Sequence, residues 1–483
     1  MDLETRHPDY TATLALRSQG RDLFDGEHAV KAAGTSYLYQ WANESDTDYD
    51  TRLQRAVLDP YVEKIIQARQ AVLFRKPHAR DLPAALDSYQ WDIDRKGIPA
   101  SVFFEEAALQ AQIAGAHWVA IDATQVPEGG FASRRAESDS GYRAFMEHVP
   151  AENVIDWEVG PDMRLAWAVV KQTSRASREV PGLTPKQVQQ WKVWFRDRWQ
   201  LWQRPPDGKA AMLVDEQPNP LGLVPLVPFL GERYSDFAGY PVARRCFGYV
   251  IAVFNKQSDR DWFEAFASHP IPYQIGPEKF EEFNTSQGIY MRSMPDYDVK
   301  VGYLEPTGAA VGGIRETIRD YQAKIYAIAL AQAQKDTAQV QSADGQREDR
   351  RMFTAGLASD SRAYERAEER CWELLAGWLG VPTEKITVAY TRDFDDKTIE
   401  ATMIAALGDL MDRGILTQRT VLQTVVSGEA VEVEDIDAEL AAAQAEQESR
   451  TAQAAARAME QFRAAAQPPD ADDAQADGEP DTP

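Results

Sequence analysis

Residues 312–345 read GGIRETIRDYQAKIYAIALAQAQKDTAQVQSADG, and this stretch contains a sharp change of pattern. Apolar side chains first recur at spacings of three and four, at Ile314, Ile318, Tyr321, Ile325 and Ile328. They predict a helix that begins after Gly312-Gly313, and its narrow apolar stripe is typical of a helix packed between neighbours. Gln332 to Gly345 is polar and Ala-rich without an apolar period, so a loop is predicted there. Helix–helix connections usually have roughly 2–8 residues, and longer loops are commonly functional.

Long helices are predicted on both sides of this stretch. Before it, Pro241 to Ser268 places Val242, Cys246, Tyr249 and Val253 on one face. A region of short strands covers 270–306. After the loop, Gln346 to Leu379 continues the helical period, and Gly380 and Pro382 occupy the positions of a C-cap and a stop.

The N-terminal half divides into a helical part and a β-rich part. Residues 1–125 are mostly helical, with helices predicted at Tyr61–Phe74 and at Ser101–Ala114, which Gly115 ends, followed by a buried strand at Trp118–Asp122. From about 150 to 230 the apolar period becomes two. Strands are predicted at Leu165–Val170 and in a hairpin that contains Trp191, Trp194, Trp199 and Trp202. The prolines that follow predict a stiff, non-helical connection: Pro205, Pro206, Pro218, Pro220, Pro225 and Pro228.

Beyond Gly380 the chain returns to helices. A short strand is predicted at Lys385–Tyr390, and helices at about 397–413, 417–426 and 435–466. Residues 467–483 contain six acidic side chains and no basic one, which predicts disorder. The fold class that results is α+β, mainly helical.

The composition of the chain limits the classes of function that it can have. The chain has 483 residues and a formal net charge of −24, whereas a protein that grips DNA is usually basic. An acidic protein can still handle DNA if its task is to let the DNA slide. Cys246 and Cys371 lie far apart, which argues against a disulfide scaffold and fits an intracellular origin. Neither a signal peptide nor a membrane span of about 18 apolar residues is apparent, so we expect a soluble protein.

Motifs for chemistry are mostly missing. GxxxxGK[ST], HExxH and GxSxG do not occur, and no two of the six histidines are spaced to hold a metal ion. Asp393, Asp395 and Asp396 could form a metal cluster, but a strand end and a helix start explain them better. Gly312-Gly313 could hold a phosphate, but a flexible helix entry is favoured because no Lys-Ser/Thr follows. The Trp-rich hairpin could stack sugars, although sheet packing is the favoured interpretation. We therefore expect no enzyme activity, catalytic residue, metal or cofactor.

A resemblance to a known family comes from the N-terminal quarter. The motifs that carry it resemble those of siphophage portal proteins, the rings through which tailed double-stranded DNA bacteriophages package and eject DNA. They are His7-Pro8-Asp9-Tyr10, Gly26, Val30-Lys31, Gly34, Tyr37-Leu38, Tyr49, Arg52, Arg55-Ala56, Val72–Pro77 and Gly115–Asp122. The sequence departs from the pattern at Tyr39, where the family has proline. After these motifs the match is one of topology: the order of the helices and strands resembles that of the portal plan. This resemblance covers nearly all of the chain.

This resemblance implies a portal fold assembled as a ring, and it divides the chain into segments. They are a wing at 1–238, a first stem helix at 239–268, a clip at 269–308, a second stem helix at 309–331, a tunnel loop at 332–345, a long helix with a wing strand at 346–396, a helical crown at 397–466 and a disordered acidic tail at 467–483.

The resemblance also implies partners and a place of action. The chain would form a homo-oligomeric ring, of 12 subunits in this family, at one capsid vertex. It would bind the large terminase, a head-completion adaptor and the major capsid protein or scaffold, without contacting a membrane. Double-stranded DNA would pass through it without sequence specificity. Assembly would take place in the host bacterial cytoplasm, and the mature ring would be part of the virion.

The residues expected to line the DNA channel follow from this plan. The tunnel loop supplies Gln334, Lys335, Asp336, Thr337, Gln339 and Val340. The second stem helix supplies Arg315, Arg319 and Lys324, although solvated helix faces or intersubunit ion pairs explain these bases equally well. Two other functions stay open: an acidic, Trp-rich polysaccharide hydrolase with paired carboxylates, and another phage capsid or tail protein.

Overall fold

A computed structural model of the chain describes residues 2–123, 143–175, 187–205, 210–267, 271–277, 289–292, 299–304, 309–329, 343–392, 394, 401–427, 433 and 436–465. Its contacts define two compact units, Met1–Phe394 and Asp395–Pro483, and each is considered by itself. Helices and sheets are mixed in the first unit, and the described part of the second unit is helical.

The first unit contains helices throughout its length. They are α1 (Pro8–Asp25), α2 (Glu27–Ala32), α3 (Asp46–Arg55), α4 (Tyr61–Leu73), α5 (Ala100–Ala114), α6 (Arg244–Ala267), α7 (Ala309–Ile328) and α8 (Ala343–Leu379). Short 3-10 turns lie at Gly34–Ser36 and Ala84–Gln90.

Its strands form five sheets within the described residues. They are β1 (Ala79–Asp81), β2 (Ala116–Ala123), β3 (Ala144–Pro150), β4 (Val154–Val159), β5 (Leu165–Arg175), β6 (Gln187–Phe195), β7 (Arg198–Gln203), β8 (Met212–Pro218), β9 (Leu226–Leu230), β10 (Glu232–Arg233), β11 (Gly239–Tyr240), β12 (Ile271–Gly276), β13 (Ile289–Arg292), β14 (Lys300–Leu304) and β15 (Thr387–Ala389).

The first helix is fixed at its start by local chemistry. Pro8 occupies its first turn, where the missing proline N–H would have had no partner. The Nδ1 atom of His7 accepts a hydrogen bond from the Asp9 N–H at 3.1 Å. The same histidine donates its backbone N–H to the Ile155 carbonyl, and its ring stacks on Trp157 with centroids 4.1 Å apart. The helix start is thereby attached to β4.

Two sheets form the β-rich part. The larger one is an antiparallel meander in the order β4-β5-β6-β7-β8, and the smaller has the order β3-β2-β9. Because successive side chains of a strand point to opposite faces, β2 contributes to two cores. Val119 and Ile121 pack in one core with α5 and α8, and Trp118 and Ala120 pack in a second core with the meander. The smaller sheet is therefore the middle layer.

A third core joins the N-terminal helices to α6 and α7. Leu23 of α1, Ile66 of α4, Phe254 of α6 and Ile325 of α7 are buried together in it. The large apolar side chains of this core each stabilise the fold by about 1.5–3 kcal/mol. The core therefore connects the beginning of the chain to residues about 250–300 positions later.

The long helix α8 is held by a buried carboxylate. Glu368 accepts hydrogen bonds from Arg80 Nε at 2.5 Å, from Trp372 Nε1 at 3.0 Å and from the Tyr390 hydroxyl at 2.7 Å. Burial, followed by the charge of Glu368, raises the pKa of Tyr390. Arg80 is the middle residue of β1, which pairs with β15 in a two-stranded ribbon, and Tyr390 directly follows β15. The ribbon and the carboxylate together connect residues that are far apart in sequence.

The second unit contains three helices in its described residues: α9 (Ala401–Asp412), α10 (Gln418–Ser427) and α11 (Ile436–Ala465). Arg419 forms an ion pair with Asp437 at 3.2 Å and so connects α10 to α11. Predicted helices at about 397–413, 417–426 and 435–466 correspond to these three. The acidic residues 467–483, predicted to be disordered, lie outside the described residues.

Two sequence-based expectations are corrected. The Pro-rich region, predicted as a connection, contains β8 and β9. Pro218 is the last residue of β8, and Pro228 lies in the edge strand β9. Proline is tolerated at such positions because the N–H that it lacks is not required for a hydrogen bond to a neighbouring strand. In addition, α7 begins at Ala309, so Gly312 and Gly313 lie inside the helix and do not precede it. A glycine pair is tolerated there because apolar contacts farther along the helix support it.

Candidate functional site

The helix predicted to line a channel, α7, is packed on two sides. Ile318 and Ile325 are buried against the third core. On one edge Tyr321 meets Tyr249 of α6, with ring centroids 5.9 Å apart. On the other edge Gln322 Nε2 donates to the Tyr61 hydroxyl at 2.8 Å. The narrow apolar stripe read from the sequence is thus placed between α6 and the start of α4.

Helix α6 is itself positioned by a buried arginine. Arg52 of α3, whose side chain is 2% exposed, donates from Nε and Nη2 to the Glu44 carboxylate at 2.7 Å. Its Nη2 atom also donates to the Tyr39 carbonyl at 2.6 Å, and Asp259 of α6 lies 3.9 Å from Nη1. The ion pair lowers the pKa of Glu44, chiefly through the Arg52 hydrogen bond.

Asn255 of α6 continues this attachment. Its side chain donates to the Tyr37 carbonyl at 2.7 Å and accepts from the Tyr39 N–H at 3.0 Å. Tyr49 completes the arrangement, because its hydroxyl donates to the Leu38 carbonyl at 3.1 Å. The motif residues Tyr37, Leu38, Tyr49 and Arg52 therefore fix one segment, residues 37–44, against α6. They have a structural role.

A small sheet lies between α6 and α7 in sequence. In it β12 is central, parallel to β13 and antiparallel to β14. Its outer strands and the residue before β14 present apolar side chains to solvent: Ile289, Met291, Val299 and Val301 are 43–61% exposed. This sheet occupies the segment predicted as the clip.

The three predicted channel bases do not form one row. Arg315 and Arg319 are one turn apart on the same side of α7, whereas Lys324 is about half a turn around the helix from Arg315. Arg315 forms an ion pair with Glu264 of α6 at 2.7 Å. Arg319 is exposed and has no ion-pair partner among the described residues.

Lys324 lies on the side of α7 that faces α6. Its ammonium is 5.6 Å from the ring centroid of Tyr249 and 5.7 Å from that of Tyr321. These contacts attach the lysine to the junction between the two helices. Lys324 therefore lies on a different side of α7 from Arg315 and Arg319, and whether any of the three lines a channel stays a prediction.

The predicted tunnel-loop residues lie outside the described residues. They are Gln334, Lys335, Asp336, Thr337, Gln339 and Val340. Asp393, Asp395 and Asp396, considered as a metal cluster, lie outside them too. In the described part of the chain, no group of three or more His, Cys, Asp or Glu side chains is arranged to hold a metal ion.

The Trp-rich hairpin is packed into the meander. Trp191, Trp194 and Trp199 are 0%, 1% and 8% exposed, and Trp202 is partly buried. Trp191 pairs with Trp202, and Trp194 with Trp199, across β6 and β7. Their burial agrees with the packing interpretation and leaves little ring surface for stacking a sugar.

One pair of titratable residues is close in the structure but is not indicated by any pattern in the sequence. His117 Nε2 and His148 Nδ1 are 2.9 Å apart between β2 and β3. Burial lowers the pKa of His117 to about 3 and that of His148 to about 4. No sequence motif could have revealed the pair, since the strand register brings together residues 31 positions apart.

The comparisons with known proteins give limited matches. The family described as "Domain of unknown function (DUF4055)" matches residues 250–379, from α6 to the end of α8. No curated protein matches. Among the described residues, no helix has both the length and the apolar character that a membrane span requires.

Three similar solved structures come from gene transfer agent (GTA) particles. "Neck of native GTA particle computed with C12 symmetry" has 12% identity and a TM-score of 0.35, covering 82% of this chain and 97% of the other. "Virion of native gene transfer agent (GTA) particle" has 11% identity and a TM-score of 0.36, with the same coverage. "Neck of empty GTA particle computed with C6 symmetry" has 13% identity and a TM-score of 0.34, covering 84% and 98%.

Proposed function

We propose that the chain is a portal subunit of a tailed double-stranded DNA phage. In this proposal twelve copies form a ring at one capsid vertex, through which DNA is packaged, retained and later ejected. The ring docks the large terminase and afterwards a head-completion adaptor, and it contacts the major capsid protein or scaffold. The subunit carries out no covalent chemistry, so the packaging ATPase is a separate protein.

The order of elements around α6 and α7 is the observation that carries the proposal. A long helix, a small exposed sheet, a second helix packed on the first and a 37-residue helix follow one another. This is the order of stem, clip, stem and long helix in the portal plan. The N-terminal motifs that resemble those of portals support it, because they attach residues 37–44 to the first of these helices.

The negative net charge of the chain supports the proposal of a channel through which DNA slides. The chain carries a net charge of −24, and Arg315 on α7 is already neutralised by Glu264. Twelve such subunits would repel the phosphate backbone, although salt screens this repulsion beyond about 8–10 Å. Arg319 and Lys324, which form no ion pair with any described residue, are the predicted bases on α7 that are left for transient phosphate contacts. The proposal places loop 332–345 at the narrowest part of the channel.

Assembly gives the first test. Negative-stain images and sedimentation of the purified full chain should show closed rings with a central hole and head-to-tail contacts. A stable monomer at micromolar concentration and near-physiological salt would contradict the proposal and favour the polysaccharide hydrolase. Sheets or tubes would favour another phage structural protein.

Loop function gives the second test. Deletion of Gln334–Gln339 in a phage genome that carries this gene should leave rings intact but impair packaging or retention of DNA. The matched control deletes six residues from the acidic tail, 470–475, and should package as the wild type does. If the loop deletion also packages and retains a full genome, the loop has no gating role.

A further inference from the structure

A groove lies between facing side chains of the meander and of the smaller sheet. Its volume is about 420 Å³, within the range of roughly 300–1,000 Å³ that is usual for ligand sites. One wall consists of side chains from β2 and β3, including Asp122 and Glu147. The other consists of side chains from β5, β6 and β7, including Val170, Lys192 and Leu201.

One of the two carboxylates in this groove is already neutralised. The Lys192 ammonium forms an ion pair with Asp122, and it lies 4.2 Å and 4.5 Å from the ring centroids of Trp194 and Trp199. Asp122 accepts a further bond from the Ala123 N–H at 2.9 Å. The groove therefore already holds one alkylammonium group, between a carboxylate and aromatic rings.

The second carboxylate has no such partner. Glu147 forms no ion pair or hydrogen bond with any described residue, and its side chain reaches solvent. The packing around it, and then the charge of Asp122, raise its pKa. Arg95, also at the groove, is placed over the ring of Phe145, with its guanidinium carbon 5.0 Å from the centroid. The groove is thus lined by two carboxylates and two cationic side chains, and Glu147 is the carboxylate that has no ion-pair partner among the described residues.

A second acceptor is provided by a row of glutamines. Gln172 donates from Nε2 to Gln190 at 3.4 Å, and Gln190 donates to Gln203 at 3.0 Å. Because Gln172 donates in this row, its side-chain oxygen Oε1 accepts no hydrogen bond from any described residue. Val170 and Leu201 supply apolar surface beside it. Two acceptors on different strands, next to an apolar surface, suit a cation with an aliphatic stem.

We propose that this groove binds a primary alkylammonium group, either a lysine side chain of a partner polypeptide or a free aliphatic diamine. The methylene groups lie on Val170 and Leu201, and the ammonium donates to Glu147 and Gln172. An ammonium has three donors and needs no coplanar acceptors, whereas a guanidinium needs a planar pair. The site is independent of the ring and channel proposed above.

Saturation-transfer NMR on the full-length protein tests the proposal. The probes are N-acetyl-lysine methylamide, butane-1,4-diamine, the arginine analogue and the uncharged norleucine analogue. We expect saturable binding of at least one of the two amines, and the stronger of them identifies the source of the ligand. If neither amine binds, or if the norleucine or arginine analogue binds as well as the amines, the proposal is wrong.

Two variants with opposite expected effects sharpen the test. Glu147→Gln should weaken amine binding about three- to tenfold, as loss of a partly exposed charge-assisted hydrogen bond predicts. Lys192→Met should strengthen it roughly threefold, because Asp122 then adds an uncompensated charge. Glu158→Gln, at an exposed position of β4, is the matched control and should bind as the wild type does.

Melting temperatures of all three variants verify that they fold. Wild-type affinity in a folded Glu147→Gln variant would overturn the proposal. Rings that form normally in that variant would leave the portal assignment unaffected, so failure of one proposal is distinguishable from failure of the other.

Discussion

Arg52 is a charged residue that the fold uses as an internal connection. The side chains of Arg52 and Glu44 are both 2% exposed, and the guanidinium carbon of Arg52 lies 4.3 Å from the ring centroid of Trp41. A buried ion pair contributes little relative to an apolar pair, but removal of one partner is costly because the other charge stays buried. The arginine therefore determines the position of residues 37–44, and a mutation that removes its charge should destabilise the fold strongly.

Arg52→Met should lower the free energy of unfolding by about 3–5 kcal/mol, because Glu44 loses its counter-charge. Arg55→Met is the matched control: it lies one turn further along α3, is exposed and should change stability by no more than about 0.5 kcal/mol. Urea denaturation measures both. Equal stability of the two variants would show that the buried pair does not hold the segment.

The His117–His148 pair should make stability dependent on pH. Both side chains have pKa values in the fold, about 3 and about 4, that are below the value of about 6.5 expected in the unfolded chain. The unfolded state therefore binds protons first as pH falls. Stability is retained above pH 6.5 and decreases by about 1.4 kcal/mol per pH unit per histidine between pH 6.5 and pH 4.

Urea denaturation at pH 7, 6 and 5 checks this slope. His148→Gln should flatten it, because one of the two groups no longer titrates. His28→Gln, at an exposed position of α2, should leave the slope as in the wild type. A wild-type slope in the His148 variant would mean that other groups control the acid response.

At the scale of elements, the junction of α5 and β2 depends on a glycine. Gly115 ends α5 with φ of 86°, and an added Cβ would lie 2.4 Å from the Gly239 carbonyl oxygen. Gly97 has nearly the same φ, 83°, but an added Cβ would meet nothing within 4 Å. The two positions separate the cost of the backbone conformation from the cost of the close contact.

Gly97→Ala should cost about 1–2 kcal/mol of stability, from the left-handed conformation alone. Gly115→Ala should cost at least about 2 kcal/mol more, because β11 must move away from the helix end. Chemical denaturation of both variants gives the difference. Equal costs would mean that β11 adapts freely.

The elements also differ in how well the sequence predicts them. Helices with a clear period, such as α5 and α8, end where Gly115 and Gly380 indicate. The pattern failed for β8 and β9, because prolines usually exclude central strands but are tolerated at strand ends and in edge strands. It also failed for the start of α7, where tertiary contacts outweigh the low helix propensity of Gly312-Gly313.

At the scale of the whole molecule, the acidic tail should be dispensable for assembly. Residues 467–483 have no apolar anchor, so their deletion should leave the melting temperature and the rings unchanged. Scanning calorimetry and negative-stain images measure the two properties. A longer deletion from Ile436, which removes α11, is the comparison for loss of a folded element. A large decrease in melting temperature with the short deletion would show that the tail is packed.

The candidate site was predictable only in part. The stripe at Ile318 and Ile325 predicted a packed helix, and the structure places it between two neighbours. The separation of Lys324 from Arg315 could have been calculated from helix geometry, but its attachment to Tyr249 depends on how α6 packs. The groove at Glu147 could not be predicted, because it requires the relative placement of two sheets and the register of β3.

The ribbon of β1 and β15 determines how early during its synthesis a new chain can complete its folding. Arg80 and Glu368 are 288 positions apart. At translation rates of roughly 5–20 residues per second, the ribosome needs about 15–60 s to produce the carboxylate that Arg80 requires. Until then β1 has no partner strand, and the surface that α8 will cover stays open. The ribbon closes late, so a nascent chain acquires its mature surface only when most of it has been synthesised.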